Sequence, residues 1–514
     1  MENNNPLKTK RTTRAVQSPL PPQPLPGEFE YEIEYANDLE TLNNWVMGIG
    51  QPGNVPEPCT GFIFRVMNDI GYSSINPPVT QMIGDDFNYF SGFLDGGNNK
   101  INLDIDLSSS PNINQNVGLF SRILNGAISR LAIEGSVTGG LHSQYVGGFA
   151  GQVESGRLHF VTNLADVTGI SPTSSVGGIT GAVSGTPPPF HDCCNNGTII
   201  GGLYVAGCIG SVNYVSSCHT HRLKNSGTIK GIEGTHQNCM AGIIAYSATS
   251  YTHLHLAVNI GRVLGSNSAY SGGLIARLDN GVVVRGFNAG IVYGGSIVGG
   301  VAGYLGDVVF GQNINANWVE RGFAQNFGAI AGLVAGGTIF DNYYDNQMCI
   351  WGAINNQAPP PGQATGLPTR QMIGTNLSFA SFNPYPQLYP IFYIHPIELL
   401  AGAPIYLDVN DDLDNVRNTF YVSNENSTPP FLPPPNIPFP YQWGSFDDSV
   451  VPWIHIPNSV MGYVNVPAPP SNIANIVGRG QDTLVVRVDG YIPPPTYNNY
   501  YDAIYEKVVP LNVR

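Results

Sequence analysis

Residues 146–151 read VGGFAG, residues 176–181 read VGGITG, and the phrase returns along the chain as VGLFSR at 117, VAGCIG at 205, MAGIIA at 240, SGGLIA at 271, VGGVAG at 298 and FGAIAG at 327. Taken in order, these eight phrases are 29, 30, 29, 35, 31, 27 and 29 residues apart. A second phrase, N-x-G-x-V-x-G in outline, alternates with the first: NLADVTG at 163, NNGTIIG at 195, NSGTIKG at 225, NIGRVLG at 259 and NAGIVYG at 288. A period of this size means one supersecondary unit stacked on copies of itself. A glycine every few residues makes a helical repeat too costly. Short runs of Val, Ile and Leu between the glycines are strand-like. Each period is therefore expected to be one coil of a β-solenoid.

The expected fold class is all-β: a right-handed parallel β-helix of about eight coils, with an N-terminal cap and a C-terminal proline-rich β-domain. The boundaries read as a basic, proline-rich leader at 1–27, a cap with lead-in strands at 28–115, the solenoid at 116–345, a closing segment at 346–395 and the β-domain at 396–514. Within the cap, ANDLETLNNWVM predicts a helix, with Asn37 as N-cap and Leu39, Leu42, Trp45 and Val46 on one face. Asn163, Asn195, Asn225, Asn259 and Asn288 occupy one coil position. Stacked at about 4.8 Å per strand, their amides are expected to form a hydrogen-bonded ladder along a rod of roughly 40 Å. Spacing varies more from each of these asparagines to the following VGGxxG phrase than in the reverse direction, so length variation gathers at one corner.

The alternation of VGGxxG with NxGxVxG resembles the GLUG-type repeat of bacterial surface and adhesin-like proteins. The likeness reaches upstream to FSGFLDGGNNKINLDIDL at 90–107 and downstream to NYYDNQM at 342–348 and TGLPTRQMIG at 365–374, covering roughly residues 30–395. What the resemblance implies is a solenoid architecture and a surface or adhesive role. It supplies no catalytic residues.

Charged residues make up only 11% of the 514, while Gly and Pro number 62 and 41. That is too apolar for a disordered chain and too glycine-rich for a helical bundle. A net charge of −14 argues against nucleic acid as the main partner. No apolar run is long enough to span a membrane, and residues 1–27 lack the apolar region of a secretory signal. Seven cysteines without a secreted-domain spacing are expected to be mostly free thiols.

Among residues with chemistry, His159, His191, His221 and His255 each stand four places before a repeat asparagine, with His219 and His253 two places earlier on the same face. Their neighbours Leu158, Phe190, Thr220 and Leu254 should point inward and the imidazoles outward, as a candidate metal or pH-sensitive column or simply a side chain that stacks well. His191, Cys193, Cys194, Cys208, Cys218 and His219 lack paired zinc-ligand spacing, and Cys208 falls at the inward position of Phe149 and Ile179. The solenoid acids Glu134, Glu154, Asp166, Asp192, Glu233, Asp279, Asp307 and Glu320 offer no glycosidase-like pair on neighbouring coils. Asp408, Asn410, Asp412 and Asp414 alternate as at the start of a calcium loop but lack its glycine and distal glutamate, so an acidic turn is the simpler reading. PPTY at 494–497 and the sequons at Asn196, Asn376 and Asn426 complete the motifs.

These readings lead to an expectation of a non-enzymatic structural or adhesive protein, without cofactor, displayed on a cell, spore or particle surface. Its expected partners are further copies or other assembly subunits, and a glycan or host surface, with no nucleic acid and no membrane span. Two alternatives compete: a polysaccharide lyase or glycosidase on the same scaffold, and an intracellular or virion fibre or shell subunit.

Overall fold

A computed structural model describes residues 29–367, apart from breaks at 110–113, 186–189, 214–216, 233–235, 266–267, 318, 321–323, 347–348 and 350, and beyond them only short strands between 382 and 506. The described chain is 54% strand with one helix and winds into a parallel β-solenoid of about ten turns. The glycine phrases pair in register down one eight-stranded sheet: Val117, Val146, Val176, Val205, Met240, Ser271, Val298 and Phe327 lie side by side. The remaining strands of each coil belong to a 29-stranded sheet. Inside, Phe149, Ile179, Cys208, Ile243, Leu274, Val301 and Ile330 form a buried column, so Cys208 packs as a small apolar residue.

The coils extend beyond the glycine phrases on both sides. Glu30–Ile33, Ile63–Val66 and Phe93–Asp95 pair in parallel with one another and then with Ala127–Gly139, so segments without a VGGxxG phrase are also coils of the stack. Apolar alternation fixes their register, as in Tyr31 and Ile33, which are buried between exposed Glu30 and Glu32. Large rings fill this end, with Phe64 to Phe90 at 5.9 Å and Phe90 to Phe120 at 4.6 Å between centroids. At the other end Asn342–Asp345 pairs in parallel with Ala364–Leu367.

The helix, α1 (Ala36–Met47), buries Leu39, Leu42, Trp45 and Val46 against the first coils, with Trp45 edge-on to Tyr31 at 5.0 Å. Its N-cap is Tyr35 rather than the expected Asn37. The reason is Asp38, whose carboxylate reaches back to accept the amides of Glu34 at 2.8 Å and Tyr35 at 3.0 Å. Gly48 closes the helix at φ 73°, a conformation that costs glycine little. Among the C-terminal strands, Thr483–Val488 pairs antiparallel with Ile405–Asp408 and with Tyr505–Glu506.

Candidate functional site

Eight successive coils turn one corner at a residue in the left-handed region. Arg130, Phe160, Asp192, Arg222, Leu256, Arg285, Gln312 and Asp341 hold φ between 50° and 59°, and none is glycine. Such a backbone costs about 1–3 kcal/mol per residue and persists only where the surroundings fix it. Here the ladders before and after the corner fix it. The corner also positions both chemical columns, one residue before it and three residues after it.

Three residues after the corner stand the asparagines. Asn163, Asn195, Asn225, Asn259 and Asn288 are fully buried, and Asn315 continues the column. Each Nδ2 donates to the Oδ1 of the next: 2.7 Å from Asn163 to Asn195, 2.7 Å to Asn225, 2.8 Å to Asn259, 2.7 Å to Asn288 and 2.8 Å to Asn315. The second proton of each amide goes to the carbonyl two residues on, as from Asn195 to Gly197 O at 3.1 Å and from Asn225 to Gly227 O at 3.1 Å. Both donors of each side chain are thereby used in a dry interior, where leaving one unmet costs most.

The ladder explains why the two repeat phrases travel together. A Cβ added to Gly178 would stand 2.2 Å from Asn195 Oδ1 and 2.3 Å from Gly207 O, so the second glycine of VGGxxG is the floor on which the amide lies. A Cβ at Gly227 would stand 1.9 Å from Gly197 O, so the glycine of NxG permits close stacking of successive turns. Upstream the same column is filled by Ile133 and Ile101, in register with Asn163, and there no asparagine phrase is found.

One residue before the corner stand the histidines. His159 lies beside His191, His191 beside His221, and His221 beside His255, while His219 lies beside His253. Ring centroids are 5.2 Å apart for His159 and His191, 4.8 Å for His221 and His255, and 4.2 Å for His219 and His253. Leu158, Phe190, Thr220 and Leu254 are buried between them, so the imidazoles face outward. At the corner, Asp192 is nearly buried; its carboxylate contacts His191 Nδ1 at 2.9 Å and accepts from Arg222 Nε at 2.6 Å.

This surrounding disfavours protonation. Partial burial, then the His221 ring and the Arg285 and Arg222 charges, push His255 down to about 4. His159 is lowered by burial, by His191 and by Arg157, and its Nδ1 is buried with no partner. His253 is lowered by burial and by His219. Burial and a neighbouring imidazole thus hold His159, His253 and His255 toward their neutral forms.

Among the described residues, no group of three or more His, Cys, Asp or Glu is placed to hold a metal ion. The expected zinc candidates do not converge: Cys193 Sγ turns to Leu158 O, Cys194 Sγ to Asn196 Oδ1 and Cys208 Sγ to Lys224 O. All seven cysteines are free and buried. Among the acids, Glu154 pairs with Arg122, Asp192 with Arg222, Asp279 with Arg277 at 3.0 Å and Glu134 with Lys100 at 3.7 Å. Each of these carboxylates is placed against a cation rather than against a second carboxylate. Glu233, Asn410, Asp412, Asp414, PPTY and the sequons at Asn376 and Asn426 lie outside the described residues, and of Asp408 only its place at a strand end is described.

Sequence reasoning missed Asn315, because NINANW lacks the glycine of the phrase. The spacing carried the signal: Asn288 to Asn315 is 27 residues, the same as SGGLIA at 271 to VGGVAG at 298. It also missed a second step, Asn313 Nδ2 to Asn342 Oδ1 at 3.0 Å. No protein-family model matches this chain, and no curated protein or solved structure matches it.

Proposed function

We propose that this protein is a structural, adhesive solenoid displayed at the surface of a cell, spore or particle as a subunit of a larger assembly. The observation that carries the reading is the axial ladder. Six successive coils are tied by asparagine amides hydrogen-bonded one to the next in the interior. Such a ladder stiffens the stack along its axis and does no chemistry of its own, as suits a part that holds its shape and presents its sides. The GLUG-type resemblance of the repeat phrases points the same way. Glu154, Asp192 and Asp279 pair with arginines rather than with one another, which weighs against the glycosidase alternative, since a retaining or inverting site needs two carboxyls facing one bond.

Immunogold electron microscopy of intact, unpermeabilised native material tests the proposal. Label on the outer surface supports it. Label found only after permeabilisation refutes it and favours the intracellular alternative. Release of reducing ends from polysaccharides by the purified chain would refute the non-enzymatic reading.

A further inference from the structure

On the flank of the solenoid two columns of side chains run along the axis. One carries Tyr145, Ser175, Tyr204, Cys239 and Tyr270 in register. The other carries Gln152, Ala182, Ser211, Tyr246, Arg277 and Tyr304. From Tyr204 onward the columns lock together. Tyr204 and Tyr246 stack at 4.3 Å with their planes 13° apart, and Arg277 lies 5.8, 5.4 and 5.5 Å from the rings of Tyr246, Tyr270 and Tyr304. Asp279 holds that guanidinium with two contacts of 3.0 Å. The tyrosine wall is therefore rigid without a ligand.

At one coil the wall is interrupted. Ser175 and Ser211 stand where the adjoining coils carry Tyr204 and Tyr246, and a notch of about 360 Å³ opens there, bordered by Tyr145 on one side and by Tyr204 and Tyr246 on the other. That volume lies within the range of small-molecule sites. Tyr145 and Tyr204 are two strand spacings apart, about 9.6 Å, which leaves room for one saturated ring in contact with an aromatic group on each side.

Apart from the apolar Leu203, the remaining lining is neutral and hydrogen-bonding: Gln144, Thr173, Ser175, Ser211 and Asn213. The hydroxyls at its base are ordered: Ser175 Oγ donates to Gly181 O at 2.7 Å and shares a hydrogen bond of 3.0 Å with Ser211 Oγ, which also accepts from Asn213 Nδ2 at 2.9 Å.

We propose that this notch binds one ring of a neutral pyranose oligosaccharide. A pyranose presents apolar C–H faces above and below and hydroxyls around its rim. The notch offers aromatic groups at its two ends and uncharged donors and acceptors between them. No charged side chain lines it, which disfavours phosphorylated, sulfated or amino-bearing ligands. A preformed wall spends no ordering entropy on closing. The inference deepens the adhesive reading, on which its biological sense rests. Binding is measured on the purified chain and display on native material, so either can fail alone.

The test is saturation-transfer NMR and calorimetry of the full chain with cellotriose, maltotriose and tri-N-acetylchitotriose. At least one should bind, and Tyr145→Ala should weaken it at least tenfold without changing the circular dichroism spectrum. Ser175→Tyr, which fills the gap in the column, should abolish binding. If that variant does not fold, Tyr145→Ala alone decides. Binding unchanged in Tyr145→Ala, or none of the three sugars bound by the wild-type chain, overturns the assignment.

Discussion

Replacing Asn225 by leucine keeps the branched shape of the side chain and removes its polar atoms. In the wild type, Asn225 Oδ1 accepts from Asn195 Nδ2 at 2.7 Å and from the Gly227 amide at 3.2 Å. Its Nδ2 donates to Asn259 Oδ1 at 2.8 Å and to Gly227 O at 3.1 Å. In the variant, Asn195 Nδ2, Asn259 Oδ1 and both the N–H and the carbonyl of Gly227 lose these partners in a fully buried setting. Each orphaned group costs about 1–3 kcal/mol, and burial of the new methyl groups offsets part of that, so a net loss of roughly 2–4 kcal/mol is expected. Because each coil touches only its neighbours, the loss falls on the interfaces above and below residue 225. Urea unfolding followed by circular dichroism should show a lower midpoint and a tendency for the two halves of the stack to melt separately. Lys230→Ala, an exposed change in the same coil, should stay within about 0.5 kcal/mol. A comparably small effect for Asn225→Leu, with an unchanged slope, would refute the ladder as a source of stability.

Stability should also fall with acidity in a defined window. His255 sits at about 4 in the folded chain, below its ordinary value near 6.5, so the unfolded chain binds the proton first. Its contribution is complete above pH 6.5 and disappears as pH falls toward 4; half exposure reduces it to about 1 kcal/mol. Melting curves between pH 7 and 4 should therefore flatten in the double variant His221→Gln, His255→Gln, and an unchanged slope would count against the column. Gly207→Ala should cost about 3 kcal/mol or more, since the new Cβ meets Gly242 O at 2.2 Å, whereas Gly336→Ala meets nothing closer than 3.8 Å and should be nearly neutral by thermal melting. Burial raises the Cys218 and Cys349 thiols to about 12 and the Cys208 and Cys239 thiols well above their ordinary value, so a chromogenic disulfide should titrate all seven cysteines only after denaturation. Fast reaction of the native chain would contradict that burial.

Glycine made the coils from Val117 to Phe327 legible, because the asparagine ladder packs closely on glycine at most of its steps, as at Gly178 and Gly227, and so prints a period on the sequence. Where Ile101 and Ile133 fill the same column no asparagine phrase marks the coil, and the turns of Glu30–Ile33 and Ile63–Val66 carried only apolar alternation. The histidine register was readable from its distance to the asparagines. The left-handed corner was not, since Arg130, Phe160, Asp192 and Leu256 share no chemistry and are placed there by the ladders around them. The tyrosine notch was equally hidden. Tyr145, Ser175 and Tyr204 become neighbours only by stacking, and a gap made by a serine leaves no motif.

The in-register parallel stack underlies every step of this account, and disulfide trapping tests it most directly. His219 and His253 are paired across neighbouring coils, with rings 4.2 Å apart, and both residues lie on the outer face. Their Cα atoms should be separated by about 4.8 Å, inside the range a disulfide bridges. His219→Cys with His253→Cys should cross-link on mild oxidation, seen as a linked peptide pair by mass spectrometry. His219→Cys with His255→Cys, displaced by two residues along the strand to roughly 8 Å, should not. Efficient linkage of the displaced pair, or none in the paired one, would contradict the stack.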